Sequence, residues 1–472
     1  MADERKAFDS KLEEIAKAVE KLDNFAVVGN YDADGISATA IVCQCLKRKG
    51  KSFKTLFLKQ LYSENISQIK EMGKAYLFVD FGSAMVNELK ENFGSNFIVL
   101  DHHQTQTVKL EDYPLHMNPF YYGFNGGIEI SASGISYFFA KATDKKNSDL
   151  AGLAIVGACG DMLDFEGKLS GLNEEILNDG IKAGVLEKKN DLRLYGRISR
   201  PLVQFLMFSA NPVLPDLTAN EQNCIKFLQN LEIDLKDNEK WRSYEDLTFE
   251  EKKKLSTALI LHLNSNYVPE WKIKELIGEV YTLKKEEFHS PLRDAKEFAT
   301  LLNSCGRHGK SEIAFEVCMG DRGEHYFHAL ALLVEHRKQL REGIQLIQEK
   351  GLEEFEEFYF FDAEDKVQDS IVGIVAGMLY GSGIILDNKP IIAFARYEEG
   401  VIKVSGRATK ELVMKGLNLG LAFKEISKEF GGIAEGGGHK IAAGMRLEEK
   451  DKEKFLQLLN EIIKKQLGKI QN

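Results

Sequence analysis

Four short clusters of acidic, amide and imidazole side chains carry most of the chemistry this chain could do: Asn30-Tyr31-Asp32-Ala33-Asp34-Gly35, Val79-Asp80-Phe81-Gly82, Asp101-His102-His103-Gln104 and Gly160-Asp161-Met162. Carboxylate oxygen and imidazole nitrogen suit Mn²⁺, Mg²⁺ or Zn²⁺, and no cysteine except Cys159 stands at the clusters, which argues against a thiolate site. In a turn leaving a strand, the alternate carboxylates of Asp32 and Asp34 can address two different ions. A pair of ions roughly 3.5–4 Å apart can activate a water and stabilise the leaving oxygen of a phosphoester. Gly35 lets the backbone turn sharply into a helix whose N-terminus favours an anionic group. A lone acidic turn or a lone His pair has a structural explanation; four of them, each after an apolar run, point to a metal site.

Such side chains need a rigid edge to converge on. Residues 25–29, 75–79, 96–100 and 153–157 are short apolar runs without polar alternation, as expected of strands buried on both faces of a parallel sheet. Helical patterns lie between them, as over residues 35–49. This alternation predicts a doubly wound α/β domain with its ligands beyond the carboxyl ends of the strands, where all four clusters would sit.

On these residues the chain resembles the DHH phosphoesterase family, named for its counterpart of Asp101-His102-His103. The first cluster is similar to the family's DYDxDG form, the second to its lone Asp after a strand, and the fourth to its GDxxD-like Asp, here Asp161 with Asp164 following. Residues 435–444, from Glu435 through Gly436, Gly437, Gly438 and His439 to Gly444, resemble the GGGHxxAAG signature of the DHHA1 domain. Val404-Ser405-Gly406-Arg407 resembles that domain's substrate-binding Arg motif. Residues 294–307, with Asn303 and Arg307, resemble the RLNAxGR segment of RecJ nucleases in the form carried by archaeal RecJ-like proteins. The resemblance covers nearly the whole chain except roughly residues 190–280.

The resemblance implies two Mn²⁺ or Mg²⁺ ions. One would be held by Asn30, Asp32 and Asp80, the other by Asp34, Asp80, His102 and Asp161, with Asp80 bridging. Asn30 departs from the charged or imidazole ligand of many relatives, so its site would bind more weakly or fill only with substrate. Asp34, Asp101 and His103 would be catalytic, His103 contacting the scissile phosphate or protonating the leaving oxygen. Arg407, His439, Gly437, Gly438, Asn303 and Arg307 would bind substrate. The implied activity is a metal-dependent exonuclease that hydrolyses single-stranded DNA, or RNA, to 5′-mononucleotides in repair or replication, with a replication-fork component or helicase as partner. The alternatives are a phosphodiesterase for very short oligonucleotides or cyclic dinucleotides, and a catalytically weakened RecJ-like scaffold subunit.

Composition and periodicity set the frame. At 472 residues the chain can form two or three domains with substantial cores. The expected organisation is α/β: a parallel-sheet DHH domain over residues 1–330 with a helical insertion at about 190–280, a long connector helix over 331–355, and a smaller α/β DHHA1 domain over 356–472. The nucleic acid would lie in the cleft between the two domains. Residues 1–24 read as an amphipathic helix with Leu12, Ile15, Ala16, Val19 and Leu22 on one stripe. The insertion carries Trp241 and Trp271 and a charged, solvated helix start at 250–254. A helical pattern runs over 325–358; its His325, His328 and His336 are expected at its surface or at domain contacts rather than on a metal.

Six cysteines without paired CxxC spacing, and no secretory signal, suit a reducing cytoplasm. Residues 371–386, 16 residues with four glycines, are short for a membrane span and read as a core helix and a turn, so no membrane is expected. A net charge of −10 is unfavourable for nonspecific DNA binding, but two divalent ions would offset about four negative charges and a groove can be locally basic. Arg293, Arg307, Arg407 and Lys440 are the candidates for that groove, with pairing to a nearby acid the alternative for Arg293. The three glycines before His439 leave amide groups open to an anion, and Arg407 offers a planar fork.

Overall fold

In the computed structural model, residues 2–105, 112–164, 166–209, 212–381, 384–430 and 436–468 are described; Glu435 of the carboxyl-terminal signature and residues 382–383 of the apolar run lie outside them. The chain divides into two units, residues 1–208 with 215–333, and residues 209–214 with 334–472.

The first unit is built on a five-stranded parallel sheet of β1 (Phe25–Asn30), β2 (Phe53–Leu58), β3 (Ala75–Val79), β4 (Phe97–Leu100) and β5 (His116–Met117), in the order β2-β1-β3-β4-β5. The continuous apolar runs of the inner strands are explained by burial on both faces. Phe25, Val27, Leu77, Val79, Ile98 and Leu100 join the main core. Val28, Phe78 and Val99 point the other way, into a smaller core under Ile69, Leu89 and Phe93. The main core is closed by α1 (Ala2–Lys21), which buries Leu12, Ile15, Ala16 and Val19, and by α2 (Ala33–Arg48) and α3 (Ala132–Thr143).

The expected strand at residues 153–157 is instead part of a helix, α4 (Ala151–Gly160). An apolar run of five residues fits either conformation when both would be buried. The run is flanked and interleaved with Ala and Gly, which favours close helix packing over pleated side-chain contacts: Ala151, Gly152, Ala154, Gly157 and Ala158 are buried in α4. Asp161 therefore caps a helix, and three clusters rather than four follow strands.

Beyond α4, β6 (Leu186–Leu192) and β7 (Ile277–Leu283) pair antiparallel and bracket a largely helical segment. Its helix Phe249–Ser265 starts at a Thr248–Glu251 capping box. Glu251 is more than a solvated charge: both its oxygens pair with Arg242, at 2.9 and 2.7 Å, which holds the carboxyl down at about 2. The chain then enters α5 (Ala295–Arg307), capped by Asp294, whose Oδ1 accepts the amides of Lys296 and Glu297. The long α6 (Glu324–Lys350) ends before Gly351, which has φ +82°, so the helix is shorter than its 325–358 pattern. His325 on α6 pairs with Asp321, and His336 is buried.

The second unit holds a six-stranded mixed sheet in the order Glu353–Glu354, Tyr359–Asp362, Ile391–Glu398, Val401–Arg407, Ala442–Glu448, Gly436–Gly438. Alternating side chains feed two cores. Phe361, Ile391 and Ala393 pack with Val372, Val375 and Leu379 of helix Asp369–Gly381. Ile392, Phe394 and Val404 pack with Phe423, Phe455 and Leu459 from helices Leu419–Ser427 and Lys452–Gly468. Among the described residues, no helix is long and apolar enough to cross a membrane.

Candidate metal centre

The first cluster spans the end of β1 and the start of α2. Asn30 closes the strand, and its Oδ1 accepts the amide of Tyr31 at 2.7 Å. Asp32 caps α2 by accepting the Gly35 amide at 3.1 Å. Asp34, one residue into the helix, is fully buried, and its two oxygens accept the amides of Ala132 at 2.7 Å and Ser133 at 3.0 Å. Those amides begin α3, so Asp34 receives two orphan donors and the positive end of a helix dipole. This approach needs Gly157: a Cβ there would collide with Ser133 Oγ and Asp34 Oδ1.

Asp80 follows β3 with φ +67°, in the left-handed region, and is buried. His102 follows β4; its Nδ1 lies 2.7 Å from the Gly126 carbonyl, so Nδ1–H donates and the Nε2 lone pair faces the opposite way. Nε2 lies 3.2 Å from Asp80 Oδ1, 3.3 Å from Asp161 Oδ2 and 3.9 Å from Asp34 Oδ2. Candidate ligand atoms of Asp34, His102 and Asp161 lie within 4.8 Å of one another, as do those of Asp80, His102 and His103. Asp80 Oδ1 and His102 Nε2 are buried and have no hydrogen-bond partner among the described residues.

Electrostatics point the same way. Burial, with Asp32 and Asp34 adding to it, raises the Asp80 carboxyl well above its ordinary value. Burial and Asp34 push Asp161 up to about 8, and burial raises Asp32. The His102 ring is raised because Asp161 and Asp34 outweigh its burial. Carboxylates crowded out of water against unpaired acceptors form a site that a divalent cation would relieve, and the orienting Nδ1–H bond is the usual support of a metal-binding imidazole.

Asp101 stands outside this cluster. Its Oδ1 accepts the amide of His103 at 3.1 Å and Nδ1–H at 2.8 Å, while Oδ2 accepts the Ser83 amide at 2.9 Å. Against its burial, His103 holds the Asp101 carboxyl far below the usual range, and Asp101 in turn outweighs burial to push His103 up to about 9. The His103 side chain is 48% exposed, a protonated imidazole at the rim of the cluster.

Behind this pair, Asn118 Nδ2 donates to Ser83 Oγ at 2.9 Å and to the His103 carbonyl at 2.9 Å. Ser83 Oγ also meets His116 Nε2 at 2.9 Å; burial lowers the His116 ring to about 4 and keeps it neutral. Sequence reasoning missed Ser83, His116 and Asn118. Ser83 follows Asp80 by three residues, the one signal available.

The remaining expected site residues are placed variously. Asn303 Oδ1 accepts the Ala33 amide at 2.9 Å, so this oxygen braces the first cluster. Arg307, the last residue of α5, is close enough to Asp32 to lower its pKa against the effect of burial. Asp164 is buried away from the cluster and pairs with Arg193 and Lys296, each at 2.7 Å. Arg293 donates to the Glu286 carbonyl at 2.7 Å and lies over the Phe288 ring at 4.7 Å.

In the second unit, Arg407 ends its strand, donates to the Gly406 carbonyl at 2.8 Å, and packs against Gly373. Gly436–Gly438 pairs as an edge strand with Ala442–Glu448. Gly438 has φ +136°, and its missing Cβ would lie 2.5 Å from the Ala442 carbonyl. His439 and Lys440 follow it and are exposed.

Comparisons with known proteins agree in order along the chain. Residues 24–158 match the DHH family, N-terminal domain; residues 194–277 match the DHH-CID domain; residues 356–465 match the DHHA1 domain. The uncharacterized protein MJ0831 of Methanocaldococcus jannaschii is 31% identical over 470 residues, covering 97% of this chain and 98% of its own. Single-stranded-DNA-specific exonuclease RecJ of Bacillus subtilis is 26% identical over 171 residues, 34% of this chain and 22% of its own. Two solved structures share the fold: RecJ in complex with Mn²⁺ from Thermus thermophilus (TM-score 0.60, 16% identity, covering 96% of this chain and 55% of that one) and CDC45 from Entamoeba histolytica (TM-score 0.65, 13% identity, 98% and 99%). The chain thus spans about half the length of the Thermus RecJ chain. With three domains matched in this order and a full-length relative above 30% identity, the chain belongs to the DHH phosphoesterase family, with a RecJ-like fold and a DHHA1 domain.

Proposed function

We propose that the chain is a Mn²⁺- or Mg²⁺-dependent exonuclease that hydrolyses single-stranded DNA, or RNA, to 5′-mononucleotides in the cytoplasm, in repair or replication, with a fork component or helicase as partner. The observation that carries this reading is the facing pair Asp80 Oδ1 and His102 Nε2, both buried and unsatisfied, 3.2 Å apart and ringed by Asp34 and Asp161. Asp34, Asp80, His102 and Asp161 would hold one ion; Asp32, Asp80 and the amide oxygen of Asn30 would hold a second, weaker one. Divalent ions supply charge neutralisation, Lewis-acid polarisation and a more acidic water. Support for nucleic acid as substrate comes from the named activity of the Bacillus relative over its 171 matched residues.

The chain's own groups then have distinct tasks. Asp34 is fixed by the α3 amides, so its oxygens keep their place as charge builds. Protonated His103, oriented by Asp101, donates to the scissile phosphate or to the leaving oxygen. Arg307 adds positive charge beside Asp32, and Arg407 with His439 contacts the nucleotide backbone.

End-labelled single strands of DNA and RNA, incubated with Mn²⁺, Mg²⁺ or chelator, test this directly. Metal-dependent, stepwise loss of one end's label as mononucleotide is expected. Turnover confined to very short oligonucleotides would select the short-substrate phosphodiesterase, and no turnover with any metal would select the scaffold subunit.

A further inference from the structure

Among the described residues, segment 194–277 contributes none to the carboxylate cluster, yet it is tied to it through one helix. Arg197, 4% exposed, donates to Asp191 Oδ2 at 3.1 Å and Asp294 Oδ2 at 3.2 Å, and lies 3.6 Å from Glu245 Oε2. The Tyr244 ring lies 5.6 Å from its guanidinium, and the Tyr244 hydroxyl donates to Asp191. The next two amides, of Ile198 and Ser199, donate to the buried carboxylate of Glu297 at 2.8 and 3.2 Å. Asp294 and Glu297 are the cap and first turn of α5.

The far end of the same helix holds the first cluster. Asn303 accepts the Ala33 amide, and Gly306 sits so close to the Tyr31 carbonyl that a Cβ would collide with it. Just beyond α5, Ser311 Oγ donates to that carbonyl at 3.3 Å. Near the start of α5, Lys296 meets Asp164, three residues past Asp161. A helix of 13 residues is a stiff rod of about 20 Å. One end is clamped by segment 194–277 and the other clamps the turn that carries Asp32 and leads into Asp34 of α2.

We propose that segment 194–277 is a positioning module for the carboxylate cluster: Arg197 and Glu297 set the place of α5, and α5 sets the geometry of the first metal motif. The proposal rests on the reading of the cluster as a divalent-ion site. Asp294 and Glu297 are acidic groups close together at the cap and first turn, and Arg197 with the two amides is what holds that turn in place. Loosening this grip moves Asn303 and Gly306 against Ala33 and Tyr31, and the cation then meets misplaced carboxylates.

Mn²⁺ binding to the full chain, followed by titration calorimetry, is the test, with Glu297→Gln and the charge-retaining Arg197→Lys as variants. Both are expected to weaken Mn²⁺ binding about tenfold, within the usual range of coupling between sites. The double variant Glu297→Gln with Asn303→Ala is expected to bind no more weakly than Asn303→Ala alone, because both act through α5. Folded variants that bind Mn²⁺ as the parent does, or a double variant whose losses simply add, would overturn the proposal. A readout without variants stands beside this: coupling is reciprocal, so Mn²⁺ must slow hydrogen exchange at the Ile198 and Ser199 amides of the parent chain. Unchanged exchange there, in a chain that binds Mn²⁺, overturns the module; a parent chain that binds no Mn²⁺ sinks the metal reading instead.

Discussion

At the scale of single residues, the cluster is held in a state unfavourable to the metal-free chain. Asp161 stands at about 8 and Glu297 at about 7 in the folded protein, both above the ordinary carboxyl range. A raised folded pKa contributes stability that is full below the unfolded value and is lost as pH rises through the folded one. Chelator-treated protein is therefore expected to melt at progressively lower temperature between about pH 4 and 8, and Mn²⁺ to remove much of that slope while releasing protons. Melting curves in both conditions, and calorimetric heats in buffers of different ionisation enthalpy, check the sign. Asp80→Asn should lower turnover by about a thousandfold or more while leaving the metal-free melting temperature unchanged or higher, because a buried like charge has been removed. Near-normal turnover would contradict the site. Asp34, Asp80, His102 and Asp161 were legible because their types are costly to bury without a purpose. Gly157, Ser83 and Asn118 were not: a missing Cβ, a hydroxyl and an amide acquire meaning only through what folds against them. Gly157→Ala is expected to cost about 1–3 kcal/mol and to weaken Mn²⁺ binding by displacing Asp34, measurable in denaturant titrations with and without the ion.

At the scale of elements, period and punctuation separated most helices from strands. Inner strands β1, β3 and β4 were readable because each is a short apolar run with a turn or charge at its end. The run in α4 looked alike, and the deciding information, that it packs against α2 and α3 through Ala and Gly, lies in the tertiary structure. The edge strand formed by the glycines before His439 was not legible, because strand propensity says little when the partner strand supplies the order. Gly438→Ala must place a side chain at φ +136° against the Ala442 carbonyl. It is expected to destabilise that edge by about 1–3 kcal/mol, seen as faster amide exchange along Ala442–Glu448. Unchanged exchange would show that the backbone relaxes instead.

At the scale of the whole chain, family order and domain content were legible from two distant signatures, whereas the tie between segment 194–277 and α5 was not, since it rests on contacts such as Ile198 to Glu297, 99 residues apart. A net charge of −10 predicts that few phosphates are contacted. Single-strand binding measured with a metal that does not support turnover should weaken with salt at a log–log slope of about −0.7 per phosphate contact, and so remain shallow. A slope calling for many contacts would point to a basic track that the proposed contacts omit. The hydrogen bond from the Ala33 amide to Asn303 Oδ1 spans 270 residues, and it sets a clock. On a ribosome adding about 5–20 residues per second, the first metal motif waits roughly a quarter of a minute to a minute for its brace. Until then, a nascent chain displays the acidic loop without its final geometry, so cation capture belongs to the late part of synthesis. Chains arrested before residue 303 should emerge unable to retain Mn²⁺ through gel filtration.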